Sequence, residues 1–310
     1  MGSNETTGGV AGSHAQGMAI MAAGMLILPI MDGIGKYLAM EEAMSPGQVT
    51  FYRFMIQIVF TTLVIVAGGG FARLRPKRFW LNILRGCLIG TASLMFFTAV
   101  KYMPVADALA IFFVEPFILT VLSALFLGER VGWRRWLAIG IGFCGALIVI
   151  QPSFAVFGWV AMLPLGTATL FAVYLLMNRR LGSVDTPMVM QNIAGIGGAV
   201  VSGLALTIGF GAGVENLQPS LPQSQLSLYL VLLLGALATF GHAMVTGAFQ
   251  RAPASLLAPF QYLEIVSAVL IGYLVFGDIP SASKWLGIAI IVGSGLFIFA
   301  RERQLGRQGG

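Results

Sequence analysis

Two glutamates lie deep inside long apolar stretches of this 310-residue chain. Glu115 comes eleven residues after Pro104, and Glu264 comes eleven residues after Pro253. At 1.5 Å per helical residue, each carboxyl group would lie about 16 Å along its segment, near the middle of a lipid bilayer. A carboxylate at that depth is costly unless it is paired, hydrated or protonated, so both residues are candidates for binding a substrate or coupling its movement to protons. The alternative is a protonated glutamate that only hydrogen-bonds a neighbouring helix.

Three further charged residues lie in the first two apolar stretches. Asp32 and Lys36 are four residues apart, so on a helix they share a face and can form an ion pair. Together with Arg53 they could hold a zwitterion, with its carboxylate on Arg53 or Lys36 and its amine on Asp32. The alternative is a local ion pair near the membrane surface, where a lysine side chain can extend to water.

His242 also lies in an apolar stretch, whereas His14, the other histidine of the chain, lies in the polar N-terminal region. An imidazole facing a cavity could exchange protons, but a buried histidine can equally serve as a hydrogen-bond donor between helices. The remaining polar residues that we consider as candidates for lining a cavity are Tyr174, Asn178, Gln191, Gln261 and Tyr262.

The motifs expected of an intramembrane enzyme or an ATP-driven pump are absent from the sequence. The two histidines are too far apart for the H-E-x-x-H motif of a zinc protease, and no G-x-S-x-G motif occurs. The segment Gly33–Lys36 lacks the earlier glycine and the following Ser or Thr of a phosphate-binding loop. We therefore predict no catalytic residue, no metal site and no cofactor, and we keep an intramembrane enzyme and a channel as alternatives of another class.

The composition indicates that these residues are carried by membrane-spanning helices. Apolar residues make up 57% of the chain and charged residues only 10%, against about 25% charged residues in an ordinary soluble domain. We therefore attribute the net charge of +6 to a membrane environment and expect no nucleic-acid partner. Most of the apolar stretches are about 17–24 residues long, enough to cross a bilayer. The ten predicted spans are residues 16–38, 47–67, 79–100, 105–127, 134–150, 157–177, 187–210, 226–247, 253–276 and 284–300.

The chain also contains an internal repeat with a constant offset of 149 residues. Pro104 aligns with Pro253, Glu115 with Glu264, Gly128 with Gly277 and Trp136 with Trp285. The predicted fold class is an all-α integral membrane protein with ten transmembrane helices in two five-helix repeats. The predicted segments are a disordered N-terminal tail (1–15), the first repeat (16–150), the second repeat (151–303) and a C-terminal tail (304–310).

The distribution of basic residues predicts how the spans are oriented. If the N-terminus is cytoplasmic, thirteen of the 18 lysines and arginines fall in cytoplasmic segments, and both termini are cytoplasmic. Five spans per repeat is an odd number, so the second repeat would be inverted relative to the first. Inverted repeats are typical of secondary transporters that work by alternating access, with the substrate site between the repeats near the bilayer midplane. The alternative is a duplicated scaffold without transport activity.

Several motifs resemble a known family. FTAVKYMPVADA, VEPF and ALFLGER in the first repeat, and AFQRAPASLLAPFQYLEIVSAVLIGYLVFGD in the second, are similar to the two units of the drug/metabolite transporter superfamily. DGIGK in the first span and FYRF at Phe51–Phe54 fit the same family. One departure is Asp278, where the family more often has Glu. The resemblance implies a ten-helix exporter of small metabolites, often amino acids, with spans one to four and six to nine around the cavity; it extends to the aromatic amino-acid exporters.

We therefore expect an inner-membrane secondary transporter of bacterial type that exports small metabolites, with amino acids as the expected substrate. The alternative within this class is a broad-specificity exporter of drugs or other metabolites. The expected partners are the small-molecule substrate and the lipid bilayer. Spans five and ten are rich in glycine and carry no charge in their middle, so they are interpreted as packing helices and as candidates for a homodimer contact. Their glycines are Gly140, Gly142, Gly145, Gly287, Gly293 and Gly295.

Overall fold

The structure is a computed structural model, and it describes residues 4–70, 74–103, 105–129, 131–150, 158–182, 184–276 and 282–308. These residues form α-helices, two short 3-10 helices and connecting turns, without a β-strand among them. The α-helices are α1 (Asn4–Met40), α2 (Pro46–Gly69), α3 (Phe79–Tyr102), α4 (Val105–Phe112), α5 (Glu115–Leu127), α6 (Trp133–Ile150), α7 (Met162–Leu181), α8 (Pro187–Gly211), α9 (Gln225–Arg251), α10 (Ala254–Gln261), α11 (Leu263–Phe276) and α12 (Ala282–Gln308).

Two of the ten predicted spans are broken near their middle. The span predicted at 105–127 consists of α4 and α5, which are separated by Phe113 and Val114, and the span at 253–276 consists of α10 and α11, which are separated by Tyr262. Pro116 follows the first break and has no N–H to donate to the carbonyl group four residues earlier. Pro259 removes one helical hydrogen bond just before the second break. The described helices therefore make up ten spans rather than twelve.

The lengths of the helices and the exposure of their apolar side chains agree with a membrane environment. Six of the described helices are long and apolar enough to cross a bilayer individually: Gly12–Met40, Pro46–Gly69, Phe79–Tyr102, Gly158–Leu181, Pro187–Gly211 and Gln225–Arg251. Large apolar side chains point outward, including Trp80, which is 78% exposed, and Leu63, which is 63% exposed. Such a surface is stable when lipid, not water, covers it. The all-α membrane fold with ten spans is thus confirmed.

The ends of the chain are more helical than the sequence predicts. Helix α1 already begins at Asn4, within the segment predicted to be a disordered tail, and α12 continues to Gln308, beyond the predicted end of the last span. Extending an existing helix by one residue costs far less than starting a new one, so a long apolar helix can carry a polar extension. Ser13 in addition donates a hydrogen bond to the carbonyl of Arg251 at 3.2 Å, which holds the start of α1 against the end of α9.

Helices from the two halves of the chain pack against each other. Helix α1 lies along α9, α2 and α3 lie against α8, and α3 also contacts α7. Helices α6 and α12 pack against each other, with Gly145 against the backbone of Gly287, and α12 also contacts α1. Gly142 faces Tyr262 at the second helix break. Several glycines of spans five and ten therefore serve contacts within the chain, and a homodimer contact stays a prediction.

The closest approach between the halves is made by α3 and α8. A Cβ atom at Gly86 would overlap the carbonyl oxygen of Ala194, and one at Gly90 would lie 2.8 Å from the Cα of Gly198. Distances this short leave no room for a side chain, so small residues allow the two backbones to touch. This contact positions the middle of α3, which lines the cavity described below.

We predict that Gly86→Ala destabilises the protein. The added methyl group meets backbone, which cannot move without separating α3 from α8, and overpacking of this kind costs about 1–3 kcal/mol. Thermal unfolding of the detergent-solubilised protein would measure the loss. The matched control is Gly140→Ala on α6, where nothing lies within 4 Å of the added Cβ, so its stability should stay at the wild-type value or rise slightly. Equal stability of both variants would contradict the prediction.

Candidate functional site

Contacts between loops define two faces of the molecule. On one side Asp185 accepts a hydrogen bond from the backbone N–H of Lys77 at 2.9 Å, and Glu129 accepts one from that of Ala254 at 3.1 Å. We call this side, with the loops after α2, α5, α7 and α9, the basic face. On the other side Ser45 donates to the carbonyl of Gln218 at 2.6 Å. We call this side the opposite face.

A cavity lies between the two halves, nearer to the opposite face. The space free of protein atoms in the cavity and its mouth is about 540 Å³. Arg53 lies seven residues, or about 10 Å, from the start of α2 at the opposite face. The lining residues come from α1, α2, α3, α4, α7, α9 and α11: Met25, Leu28, Met31, Asp32, Arg53, Ile89, Ala92, Ser93, Phe96, Phe97, Leu109, Phe112, Thr167, Phe171, His242 and Glu264.

Arg53 joins the two halves at the cavity wall. Arg53 is 2% exposed, and its guanidinium group donates to the hydroxyl of Ser93 and lies with Nη2 2.7 Å from Nε2 of His242. An arginine side chain can only donate, so Nε2 of His242 accepts and the imidazole proton lies on Nδ1. Nε of Arg53 and Nδ1 of His242 have no hydrogen-bond partner among the described residues. The site thus offers two buried N–H donors to an acceptor group of a ligand.

Two acids complete the polar side of the cavity. The carboxyl groups of Asp32 on α1 and Glu264 on α11 lie next to each other in the cavity lining, and Arg53 is close enough to Asp32 to attract it electrostatically. Two such groups can share a hydrogen bond only when one of them carries a proton, because a carboxylate has no donor. Ser267 holds α11 against α1 by donating to the carbonyl of Leu26 at 2.7 Å. Lys36, which the sequence suggested as the partner of Asp32, makes no hydrogen bond or ion pair in the described part of the chain.

Aromatic rings form the apolar side. The rings of Phe96 and Phe112 lie 6.1 Å apart between centroids, and those of Phe112 and Phe171 lie 5.6 Å apart. Phe171 also lies 6.1 Å from the imidazole of His242. The sequence analysis missed these phenylalanines, because nothing separates them from the many other apolar residues until three helices bring them together.

A layer of buried polar residues lies between the cavity and the basic face. The side-chain amide of Gln191 reaches the hydroxyl of Tyr174 at 3.1 Å, the carbonyl of His242 at 2.9 Å and the hydroxyl of Thr246 at 2.8 Å. The amide of Gln57 reaches Oε1 of Gln191 at 3.1 Å. These bonds connect α2, α7, α8 and α9 beneath the cavity.

Arg85 is the charged residue of this polar layer. It is fully buried, donates to the side chain of Asn178 and to the carbonyl of Met190, and its guanidinium carbon lies 5.0 Å from the centre of the Tyr174 ring. The sequence analysis did not include Arg85 among the candidate residues. Its position six residues inside an apolar stretch was the signal that could have found it, since a charge at that depth needs partners.

Glu115 lies outside the cavity lining, at the first helix break. It is the first residue of α5 and 0% exposed, and both of its carboxyl oxygens lack a hydrogen-bond partner among the described residues. Gln261 lies beside it, and the hydroxyl of Tyr262 donates to the carbonyl of Phe113 at 3.4 Å. The second break thus packs against the first.

The structure sorts the sequence-predicted site residues into three groups. The residues at the cavity are Asp32, Arg53, His242 and Glu264. Those in the polar layer are Tyr174, Asn178 and Gln191, and those at the helix breaks are Glu115, Gln261 and Tyr262. Lys36 belongs to none of these groups. The described residues contain no cluster of His, Cys, Asp and Glu that could hold a metal ion.

Ten spanning helices around a polar cavity shared by both halves of the chain are the architecture of a multi-pass membrane transporter. The chain belongs to the EamA-like transporter family, whose sequence pattern matches residues 16–151 and again residues 158–300. This double match agrees with two repeats of five helices and with the drug/metabolite transporter superfamily. The protein is therefore a transporter of small metabolites.

Individual relatives cover nearly the whole chain. A riboflavin transporter from Vibrio cholerae is 30% identical over 94% of this chain and 96% of its own length, and one from Rhizobium johnstonii is 29% identical over 98% of both. An S-adenosylmethionine uptake transporter from Rickettsia bellii is 28% identical over 88% of this chain and 89% of its own length. A solved crystal structure with 20% identity has the same fold, with a TM-score of 0.74 over 93% of this chain and 98% of that one.

We predict that Arg53 and His242 stabilise the fold jointly. Each single variant, Arg53→Met or His242→Ala, leaves a buried polar partner unsatisfied, which costs about 1–3 kcal/mol. The double variant should cost less than the sum, because the second change removes an already unpaired group. Thermal unfolding in detergent would give the coupling energy. The exposed pair Lys101 and Glu215, 2.8 Å apart, is the control and should couple by no more than about 1 kcal/mol. Additive effects at Arg53 and His242 would show that the contact carries no energy.

Proposed function

We propose that the protein moves its substrate by alternating access between two inverted repeats. The observation that carries this proposal is the position of the cavity: its walls come from both halves, and a continuous polar layer separates it from the basic face. In inverted-repeat transporters, rocking of one half against the other closes such a cavity on one side and opens it on the other. Neither an enzyme nor a channel needs a cavity that is built from both halves and closed toward one face.

We further propose that the basic face is cytoplasmic and that the protein lies in the inner membrane of a bacterium, with both termini in the cytoplasm. The support is the concentration of lysine and arginine in short loops on that face. With this orientation the cavity is nearer to the periplasm, and the polar layer with Arg85 and Gln191 closes the cytoplasmic side.

Glu129 is proposed as the latch of the cytoplasmic closure. Its carboxylate accepts hydrogen bonds from the backbone N–H groups of Ala254 and Ser255, each at 3.1 Å, and from the hydroxyl of Ser255 at 2.9 Å. It thereby caps the N-terminus of α10, so a residue of the first repeat holds a helix of the second. Arg135 adds a bond to the Ser255 hydroxyl at 2.9 Å.

We expect Glu129→Ala to open the cytoplasmic side more often. Loss of a helix cap costs about 1 kcal/mol, which shifts the equilibrium between the two states about five-fold. In a variant without Cys87 and Cys144, a cysteine introduced by Ala92→Cys in the cavity wall would react with a membrane-impermeant thiol reagent. Reaction from the cytoplasmic side should become faster when Glu129→Ala is added. Glu215→Ala, on the opposite face, is the control and should not change it; an unchanged rate for Glu129→Ala would count against the latch.

The cavity chemistry favours a planar heterocyclic metabolite. The rings of Phe96, Phe112 and Phe171 offer a surface for stacking, and the unpaired N–H donors of Arg53 and His242 could bind the acceptor atoms of a heterocycle. The relatives that are named as riboflavin transporters support a heterocyclic substrate. Riboflavin is therefore the first candidate. The direction of net transport follows from the gradients of the substrate and of any coupled ion.

Amino-acid export is the second candidate, and one observation favours it. Arg53 lies beside Asp32 and Glu264, so a cationic and an acidic group are available for the carboxylate and the amine of a zwitterion. An aromatic amino acid could also use the phenylalanine rings. Arg53 already bonds Ser93 and His242 through its two terminal nitrogens, however, which leaves Nε as the guanidinium nitrogen without a partner among the described residues.

Counterflow in liposomes containing the purified protein would decide between the two candidates. We expect radiolabelled riboflavin to exchange more rapidly than phenylalanine, tyrosine or tryptophan at equal concentration. Phe171→Leu should weaken riboflavin binding about two- to ten-fold, because an aromatic contact contributes about 0.5–1.5 kcal/mol. Phe79→Leu, at an exposed position on α3, is the matched control and should behave as wild type. Exchange of amino acids without riboflavin would support the second candidate, and no exchange of either would contradict the proposed substrate class.

A further inference from the structure

Phe97 on α3 belongs to the cavity wall and is 2% exposed. Its ring lies 6.4 Å from the ring of Phe96 between centroids, at an interplanar angle of 65°. Such an edge-to-face contact is a favourable arrangement of two aromatic rings. Phe97 therefore extends the aromatic side of the cavity from Phe96 toward the neighbouring helix α1.

On α1, the ring of Phe97 rests against Gly35. A Cβ atom at Gly35 would overlap Cε1 of the ring and lie 3.0 Å from its Cζ. The ring can therefore occupy its place only because residue 35 has no side chain. Gly33, two residues earlier on the same helix, has nothing within 4 Å of its Cβ position. The steric requirement for glycine thus applies to residue 35 and arises from this ring.

The contact lies nearer to the opposite face than the polar groups of the cavity do. Helices α1 and α3 both end at the opposite face. Phe97 is four residues, or about 6 Å, closer to that end of α3 than Ser93, which accepts a hydrogen bond from Arg53. Gly35 is three residues, or about 4.5 Å, closer to the end of α1 than Asp32. A ligand that moves from the opposite face to these polar groups therefore passes the level of Phe97.

We propose that Gly35 is a positioning residue that sets the width of the cavity entrance. It lets the ring of Phe97 lie back against α1, and it thereby determines how large a planar ring system reaches the polar groups. A side chain at residue 35 would displace the ring into the cavity, because that is where the ring borders on space free of protein atoms. The effect on substrate size rests on the proposed transport function, whereas the width of the entrance does not.

Thiol labelling of the purified full-length protein measures this width without a substrate. The protein would lack Cys87 and Cys144 and carry Ala92→Cys, which lies five residues deeper along α3 than Phe97. The two reagents are N-ethylmaleimide and N-(1-pyrenyl)maleimide, which share their chemistry and differ in size. We expect both to react, and Gly35→Ala to slow the pyrenyl reagent about five-fold or more relative to N-ethylmaleimide, as the steric strain of a displaced ring requires. A protein without this substitution that excludes the pyrenyl reagent, or equal slowing of both reagents, overturns the proposal.

Three further variants connect the effect to the ring. Gly33→Ala is the matched control and should react like the protein with both glycines. Adding Phe97→Leu to Gly35→Ala should restore the rate, because leucine ends at Cδ and lacks the two ring atoms nearest to the added methyl group. Slowing that Phe97→Leu does not reverse contradicts the positioning role. If Gly35→Ala does not fold, Phe97→Leu alone decides: it should speed the pyrenyl reagent relative to N-ethylmaleimide, and an unchanged ratio overturns the proposal.

Counterflow in liposomes separates the entrance from the identity of the substrate. Gly35→Ala should raise the riboflavin concentration for half-maximal exchange about five- to ten-fold at an unchanged maximal rate, because the ring narrows the path to the site. Gly33→Ala should leave both values at wild type. An unchanged half-maximal concentration, or a fall in the maximal rate alone, overturns the role of Gly35 in substrate size. Absence of riboflavin exchange in the wild type contradicts riboflavin as the substrate, while the labelling rates still decide on the entrance.

Discussion

Lipid cannot hydrogen-bond to a protein, and this constraint shapes the whole molecule. Every backbone group within the bilayer must be satisfied internally, so the chain crosses as helices. The same constraint drives the charged side chains inward. Arg53, Arg85, Glu115 and Glu264 are all buried, and both arginines donate hydrogen bonds to groups on other helices. Satisfying these groups is what assembles the helices into one unit.

The polar groups are sorted by depth rather than spread along the helices. The cavity, with Arg53 and His242, lies toward one face, and the layer around Gln191 and Arg85 fills the space toward the other. A hydrogen-bonded layer can open only if several bonds break together, so it behaves as a closure with two discrete states. The helix breaks lie between the two levels. Because the breaks lie where the two halves of the chain meet, their surroundings would change when the cavity opens to the other side of the membrane.

The sequence was sufficient for the coarse architecture, because the signals involved are local. A stretch of about 20 apolar residues must cross the membrane, whatever surrounds it, so the ten spans could be predicted. The 149-residue offset aligned Glu115 with Glu264 and so marked both as candidates. The breaks within two spans were missed, even though Pro116 and Pro259 were visible. A proline can kink a membrane helix or be accommodated in it, and neighbouring helices decide which.

The partners of the candidate residues were decided by the tertiary structure alone. Spacing on one helix suggested that Asp32 faces Lys36, but its partners Arg53 and Glu264 come from α2 and α11. Helix period predicts which residues share a face, not which helix that face meets. Arg53 meets His242, 189 positions away, and Phe171 meets Phe112 from another helix, so both the polar and the aromatic side of the cavity depend on contacts between residues distant in sequence. The sequence alone identified the polar residues only as candidates. The packing of the two halves decided which of them line the cavity and which form the polar layer that closes it.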